Sequence, residues 1–294
     1  MSNDALTRAR ALLDELAEAA RAGTLIPVRL PGQIEAIAQL LAEAADPQPD
    51  GAAPAASPDV EALLKDQAAF ISHAIHELRT PMTSIRGYAD MLNSPNMGPL
   101  SEMQQQFLAT IRTNARRMEG LMHDVSDYSK LRAGVLRTNP KMDMFKNIAQ
   151  MIEKQTRPLA DELGRELIFD IPSGLPILNL DSELLVKALV KLVENGLRYT
   201  PAAGGQVRVS ARADGHLLRI TVQDNGIGMT PDELAQLGTV YFRSENEVVR
   251  SFKGSGLGIP VAYGIIRLLG GSVDVASQPG AGTTFTVTVA GMAG

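Results

Sequence analysis

The chain has 294 residues, of which 45% are hydrophobic and 21% are charged, with a formal net charge of −5. This length and composition predict a soluble globular protein with two ordinary domains, or one domain and a helical dimerisation element. The acidic balance and the few aromatic residues (4%) disfavour nucleic-acid binding, and the lack of cysteine excludes disulfides, thiolate zinc sites and cysteine nucleophiles.

The N-terminal part of the chain predicts a helical segment and a linker. Segments 4–22 and 32–45 have apolar residues at helical spacing, but residues 1–45 are too few for an independent sensory core. We interpret residues 1–45 as a segment for packing or dimerisation, with ligand sensing the less favoured role. Residues 46–58, rich in proline and alanine, predict a linker. Neither a signal peptide nor an apolar run of about 18 residues is visible, so we expect a cytoplasmic protein without direct membrane insertion.

The next segment predicts a helical hairpin. Two long apolar-patterned helices are separated by a Pro/Gly-containing turn, and Ser101 is suited to cap the second one. A hairpin buries only one stripe of each helix, and pairing with a second copy gives a four-helix bundle. We therefore predict a homodimer through residues 59–133. The stripe residues are Leu64, Ile71, Ile75, Leu78, Met82, Ile85, Ala89 and Leu92 on the first helix, and Ile111, Ala115, Met118, Met122, Val125 and Ser129 on the second.

Residues 134–294 predict a second domain of the α+β sandwich type with a mixed sheet, because strand-like runs joined by short turns alternate with helical patterns. The helical patterns lie at 143–163, 182–199 and 257–269, and the strand-like runs lie at 166–171, 206–212, 217–223, 272–277 and 283–289.

One histidine of the first long helix is a candidate nucleophile. His76 and Thr80 project from the flank opposite the apolar stripe. A histidine on a helix surface is usually only a solvated residue, but the adjacent Glu77 can orient the ring or accept its proton. The run from His76 to Pro81 (HELRTP) resembles the phosphoacceptor box of the sensor histidine kinases of two-component signalling. That resemblance implies that His76 is phosphorylated, that Glu77 serves as acid/base and that Thr80 supports phosphatase activity.

Three segments of the second domain predict a nucleotide site. Asn195 and Arg198 share a helix face, where an amide carbonyl can ligate Mg²⁺ and an arginine can meet a phosphate. Asp224 follows a strand and can accept a hydrogen bond from an adenine amino group. The glycines after it permit close backbone approach. Taken singly, the asparagine also suits a helix cap and the glycines also suit a β-turn.

The third segment, GSGLG at 254–258, opens a helix and frees backbone N–H groups to cradle phosphates. It lacks the Lys-Ser/Thr of a P-loop, and the order of elements is not that of a Rossmann fold. In this order the segments resemble the ATP-binding domain shared by histidine kinases, type II topoisomerases, chaperone ATPases and mismatch-repair ATPases. The resemblance implies Mg²⁺ at Asn195, adenine at Asp224, an ATP lid at 229–253 that contains Arg243, and nucleotide contacts from Tyr199, Gly226, Gly228, Gly254, Gly256, Leu257 and Gly258.

The predicted function is an ATP-dependent histidine autokinase that phosphorylates His76 and passes the phosphoryl group to an aspartate of a response regulator. A phosphatase activity towards that regulator is a further expectation. The alternative is a weak or inactive ATP-binding signalling scaffold, because Lys191 stands where the family usually has asparagine. A conformational ATPase clamp is disfavoured, since position 191 is not a glutamate that activates water.

Overall fold

A computed structural model describes residue 8 and residues 58–94, 98, 100–252 and 254–292, without the side chains of 58–63, 77 and 81. The chain divides into two compact units between Val135 and Leu136, two residues after the boundary predicted from the sequence. The predicted N-terminal segment (1–45) and linker (46–58) lie outside the described residues, apart from Arg8 and Pro58.

The first unit contains two antiparallel helices, α1 (Pro58–Leu92) and α2 (Glu102–Arg132). The predicted cap at the start of α2 is confirmed. The Ser101 hydroxyl accepts a hydrogen bond from the Gln104 N–H, and the Gln104 side chain accepts one from the Ser101 N–H. This reciprocal pair satisfies two backbone donors that a helix start otherwise leaves unpaired.

An apolar seam joins α1 to α2, and most of the predicted stripe lies in it. Two ion pairs flank the seam, Arg86 Nη1 to Glu119 Oε2 at 2.6 Å and Arg112 Nε to Asp90 Oδ1 at 2.7 Å. The stripe prediction is wrong at the turn end of the hairpin within a single chain, where Leu92 is 44% exposed and Ile111 is 38% exposed. The seam is formed by Ile75, Met82, Ala115, Met118 and Met122, with Ile71, Leu78, Ile85 and Val125 packed against them.

The second unit alternates strands and helices. Four of its elements were not predicted from the sequence: the strands Lys141–Met144 (β1) and Ile177–Leu180 (β3) and the helices Pro231–Gln236 (α5) and Glu247–Ser251 (α6). None of the described helices has the length and apolar character needed to cross a bilayer. In chain order the elements are β1 (Lys141–Met144), α3 (Phe145–Leu163), β2 (Glu166–Asp170), β3 (Ile177–Leu180), α4 (Ser182–Tyr199), β4 (Gln206–Asp214), β5 (Leu217–Asp224), α5 (Pro231–Gln236), α6 (Glu247–Ser251), α7 (Gly258–Leu268), β6 (Ser272–Gln278) and β7 (Gly282–Ala290).

The main sheet has five strands in the order β2-β4-β5-β7-β6. Its β2–β4 pair is parallel and its other pairs are antiparallel, which confirms the predicted mixed sheet. The short strands β1 and β3 form a separate antiparallel pair. Along β4, β5 and β7 every second side chain is buried, so one face of the sheet is apolar and packs against the long helices α3, α4 and α7.

Helix α4 carries one part of the candidate site on its C-terminal turns. Asp181 caps its start, because the Asp181 carboxylate accepts a hydrogen bond from the Leu184 N–H at 3.0 Å. Leu185, Leu189 and Leu192 are fully buried along the sheet-facing stripe of α4. Asn195 lies on the half-buried side of the same helix. Burial of the leucine stripe therefore sets the rotation of α4 and with it the position of Asn195.

Candidate functional site

The structure places the candidate nucleophile on the solvent side of α1. His76 and Thr80 are exposed, whereas Ile75 and Met82 of the same helix are buried in the seam. The Thr80 carbonyl accepts a hydrogen bond from the Ser84 hydroxyl at 3.3 Å. Within the described part of the chain, the Thr80 hydroxyl itself makes no hydrogen bond. The side chain of Glu77 lies outside the described residues, so its assigned role remains a prediction.

At the end of α4, Asn195, Arg198 and Tyr199 are half-buried. The guanidinium of Arg198 donates to Glu194 Oε2 at 2.9 Å, one turn earlier on the helix. Among described residues, nothing is hydrogen-bonded to the Asn195 side chain, so its carbonyl oxygen is available as a neutral ligand. The predicted phosphate contact of Arg198 therefore requires the guanidinium to leave a partner on its own helix.

Gly196 lets α4 approach the sheet closely at this point. A Cβ atom at Gly196 would lie 3.0 Å from Val207 Cγ2 and 3.4 Å from the Asp224 Cβ. From the sequence, glycine inside this helix only predicts a loss of helix stability of about 1 kcal/mol. The packing supplies the reason for it, because a side chain here would crowd Val207 and Asp224 where α4 meets the sheet.

Asp224, the last residue of β5, is buried and connects two other segments. Its Oδ1 atom accepts hydrogen bonds from the Gly226 N–H at 2.9 Å and from the Thr283 N–H at 3.1 Å. Burial raises the pKa of Asp224, and these two hydrogen bonds offset part of that rise. Within the described residues no hydrogen bond reaches Oδ2, so Oδ2 is the acceptor left for a ligand.

The loop after β5 has two glycines that tolerate no side chain. A Cβ at Gly226 would lie 2.6 Å from the Tyr199 carbonyl oxygen, and a Cβ at Gly228 would lie 1.8 Å from the Gln278 carbonyl oxygen. Gly228 also has φ = +63°, a conformation that other residues rarely adopt. Because the Ile227 N–H donates to the Tyr199 carbonyl at 3.1 Å, this loop joins the end of α4. The structure thus brings the predicted Asn195 and Asp224 segments together.

Sequence reasoning missed the contribution of the β6–β7 turn. The strands on either side of this turn provide Thr283 of β7 and Ser277 of β6, whose hydroxyl accepts from the Met229 N–H at 2.9 Å. Gly282 has φ = +86°, and a Cβ there would lie 2.0 Å from the Asp224 carbonyl oxygen. The only signal in the sequence is the Gly280-Ala281-Gly282-Thr283 run, which has the same composition as an ordinary tight turn.

The glycine segment 254–258 enters α7 beside residue 241. The Tyr241 N–H donates to the Gly256 carbonyl at 3.2 Å. Both residues have positive φ, +64° and +71°, and a Cβ at Gly256 would lie 2.6 Å from the Tyr241 carbonyl carbon. Leu257 is fully buried and anchors the first turn of α7 in the core. The N-terminus of an eleven-residue helix, preceded by glycines, is suited to bind an anion.

The predicted lid residue Arg243 bonds to the backbone of the lid itself. Its Nη1 donates to the Gly254 carbonyl at 3.1 Å, and its Nη2 donates to the carbonyls of Val249, at 2.6 Å, and Phe252. The ring of Phe252 makes an edge-to-face contact with Tyr199, with the ring centroids 6.1 Å apart. Lys253 lies outside the described residues.

These segments form a site with three chemical properties. A buried carboxylate offers one unused acceptor, the glycines let a ligand approach the backbone, and an amide carbonyl and a helix N-terminus are suited to a cation and to phosphates. Such a set fits an adenine nucleotide better than a purely apolar ligand.

Comparison with known proteins identifies two families in the same order as the two units. Residues 66–134 match the His Kinase A (phospho-acceptor) domain, and residues 180–291 match the histidine kinase-, DNA gyrase B- and HSP90-like ATPase. Histidine protein kinase DivJ of Caulobacter vibrioides is 32% identical over 229 residues, which cover 78% of this chain and 38% of DivJ. Sensor histidine kinase RcsC of Escherichia coli is 27% identical over 78% of this chain and 24% of RcsC. The chain thus spans less than half the length of these relatives.

Solved structures agree with this assignment. Full-length ShkA in complex with AMPPNP has a TM-score of 0.63 and 25% identity, over 77% of this chain and 47% of that one. The Acinetobacter baumannii histidine kinase AdeS has a TM-score of 0.51 and 21% identity, over 73% of this chain and 97% of that one, which supports the fold alone.

The packing at Gly228 leads to a test of stability. We expect Gly228→Ala to lower the free energy of unfolding by about 3 kcal/mol or more, since the methyl group meets the Gln278 carbonyl. The matched control is Gly215→Ala, which has φ = +60° but open space around it and should cost only about 1 kcal/mol. Urea unfolding followed by circular dichroism measures both, and equal losses would contradict the assigned role of the close approach.

Proposed function

Because the chain belongs to the sensor histidine kinases, we propose that it transfers the γ-phosphoryl group of ATP to His76 and then to an aspartate of a response regulator. The observation that carries the proposal is the combination, in one chain, of an exposed histidine on a helical hairpin and an ATPase-type unit with a buried acceptor carboxylate. Neither part alone supports both steps.

The second unit binds ATP in this proposal. Asp224 Oδ2 accepts a hydrogen bond from the adenine amino group, and Tyr199 packs at the nucleotide. The phosphates lie against the glycines of the two loops, namely Gly226, Gly228, Gly254, Gly256 and Gly258, together with Leu257. The match to the ATPase family and the similarity to the AMPPNP complex of ShkA support this assignment.

Asn195 is the residue that we propose as a ligand of Mg²⁺. Its half-buried side-chain carbonyl is neutral and is not used by another described residue, which fits a cation that keeps most of its ligands from phosphates and water. Bound Mg²⁺ would supply neutralisation of phosphate charge. Arg198 can join the phosphates at small cost, since partly exposed ion pairs within a helix contribute only about 0.3–0.5 kcal/mol.

The transfer step uses the imidazole of His76 as nucleophile. A ring nitrogen forms a bond to the γ-phosphorus while the bond from that phosphorus to the bridging oxygen of ADP breaks. Glu77 takes the proton from the other ring nitrogen, and catalysis consists mainly of positioning and charge neutralisation. His76 is exposed on α1. The proposed reaction requires this, because first ATP and then the regulator must reach the ring.

The hairpin forms a homodimer in this proposal. Met103, Phe107 and Ile111 follow one another at four-residue spacing on α2 and are 65%, 61% and 38% exposed. Met91 and Leu92, at the same end of α1, are 59% and 44% exposed. A second copy of the hairpin covers such a stripe in a four-helix bundle and removes it from water.

Two features concern regulation of this activity. The exposed Thr80 hydroxyl, one turn after His76, suits the proposed phosphatase activity because it can hold a water near a bound regulator.

Lys191 is half-buried one turn before Asn195 on α4. If its charge prevents productive ATP binding, the protein acts as a signalling scaffold, which the labelling experiment below distinguishes.

The direct test is incubation with γ-³²P-ATP and Mg²⁺. We expect acid-labile, base-stable label in the wild-type chain and none in His76→Gln, with His73→Gln labelled normally as the matched control on the same exposed flank. Label that persists in His76→Gln would overturn the assignment. ATP binding without any label would favour the scaffold.

A second test concerns the adenine acceptor. In Asp224→Asn the amide oxygen can still accept from Gly226 and Thr283, which places an amide donor where Oδ2 was. We expect ATP affinity to fall roughly 100-fold, because two donors then face each other. The raised pKa of Asp224 means that the folded protein loses stability as the pH rises from the ordinary pKa of the carboxyl group to the raised one. Asp224→Asn removes this ionisation, so its free energy of unfolding at pH 7 should be at least that of the wild type. Isothermal titration calorimetry and urea unfolding measure the two effects. Unchanged affinity would refute the adenine contact.

The dimer is tested by charge at its proposed interface. We expect Phe107→Glu to convert the dimer to a monomer in analytical ultracentrifugation, because the carboxylate would be buried without a partner. Thr113→Glu, at an exposed position on a different face of α2, is the matched control and should remain dimeric. A wild-type chain that sediments as a monomer would contradict the proposal.

A further inference from the structure

The Arg243 side chain bonds to two segments that follow it in the chain, the end of α6 and the glycine loop, whose Gly254 is eleven residues from Arg243. On one side, its Nη2 atom donates to the carbonyls of Val249, at 2.6 Å, and Phe252. On the other side, its Nη1 atom donates to the Gly254 carbonyl at 3.1 Å. A planar guanidinium presents several N–H groups in a rigid fork, so one side chain can satisfy these three acceptors together.

The acceptors on the first side lie at a helix end. Helix α6 ends at Ser251, so the carbonyls of its last turn have no partner further along the helix. A positive charge at this end also interacts favourably with the helix dipole. The guanidinium of Arg243 therefore serves as a C-terminal cap for α6.

The acceptor on the second side belongs to the glycine loop. Two cross-connections link the segment around residue 242 to this loop, from the Tyr241 N–H to the Gly256 carbonyl and from the Arg243 side chain to the Gly254 carbonyl. From the first connection to the second, the residue number rises from 241 to 243 on one segment and falls from 256 to 254 on the other, as in an antiparallel pair of strands. The Arg243 side chain thus adds a second hydrogen bond between the two segments, next to the backbone bond of Tyr241.

The loop needs such a connection because glycine loses more conformational freedom on ordering than any other residue. Three of the five residues from Gly254 to Gly258 are glycine. Without external restraints, a ligand would have to order this loop on binding and would bind more weakly.

We propose that Arg243 is a positioning residue that holds the loop Gly254–Gly258 in its phosphate-binding form before the nucleotide arrives. This inference rests on the proposed ATP site. It assigns Arg243 a role different from the direct nucleotide contact that the family resemblance implied, because three of its hydrogen bonds go to backbone carbonyls of the lid and the glycine loop. Arg243 acts on the phosphates through the backbone of the loop.

The two roles differ in their dependence on the γ-phosphate. A residue that contacts the γ-phosphate strengthens the binding of ATP and leaves that of ADP unchanged. A residue that orders the loop strengthens both by the same factor. The variant Arg243→Lys keeps the charge but lacks the planar fork, and Arg243→Gln removes the charge. Arg212→Lys, at an exposed position of β4, is the matched control.

We expect both Arg243 variants to bind ADP and ATP roughly tenfold more weakly, with an unchanged ratio of the two dissociation constants in calorimetry. For autokinase activity, KM for ATP should rise by a similar factor while kcat at saturating ATP stays close to that of the wild type. Loss of ATP affinity alone, or a loss confined to kcat, would overturn the proposal.

Hydrogen exchange of the nucleotide-free protein gives a second readout that does not depend on the proposed function. Amides 254–258 should exchange faster in both variants, while amides of β5 stay as protected as in the wild type, which establishes that the fold is intact. Unchanged exchange at 254–258 would overturn the positioning role. Failure of the wild-type protein to bind either nucleotide would refute the ATP site, and the exchange measurement would still decide whether Arg243 orders the loop.

Discussion

The geometry of the candidate nucleotide site depends on the hydrogen bonds of one buried carboxylate. Asp224 Oδ1 receives the N–H groups of Gly226 and Thr283, so the loop after β5 and the β6–β7 turn meet at the same atom. Burial makes the ionised carboxylate costly, and its pKa is raised accordingly. The two N–H donors reduce that cost. The surrounding backbone uses Oδ1 and leaves Oδ2 as an acceptor for a ligand.

The carboxylate is useful only because a helix end lies next to it. Gly196 allows α4 to pack against Val207 and Asp224, and the Tyr199 carbonyl accepts the Ile227 N–H at 3.1 Å. These contacts bring Asn195 to the site without a direct bond between Asn195 and the loops. The leucines on the sheet-facing stripe of α4 provide the burial that keeps this helix against the sheet, so the packing of the core also fixes the geometry of the site.

The hairpin follows the opposite design. Its candidate nucleophile, His76, is exposed to solvent, whereas the opposite side of α1 packs against α2 through the apolar seam. The exposed stripe at the turn end, including Phe107, is too apolar to suit a lone hairpin in water. An exposed nucleophile on such a hairpin fits the proposed homodimer, in which a second copy covers the exposed stripe.

Much of the fold followed from local patterns. The long helices and the five main strands have strong periodicity over many residues, and the Ser101 cap uses contacts within one turn. Strands β1 and β3 have four residues each and exist only because Lys141–Met144 pairs with Ile177–Leu180, far away in the chain. Helices α5 and α6 are likewise too short for a periodic signal.

By itself the sequence determined the residue types of the site, the order of its segments and the exposed flank of His76, because motifs and helical period are local properties. Only the tertiary structure decided which backbone groups bind Asp224, why position 196 has no side chain and where the Arg243 guanidinium bonds. Those features depend on atoms brought within about 3 Å from distant parts of the chain, and hydrogen bonding at that distance leaves no periodic trace in the sequence.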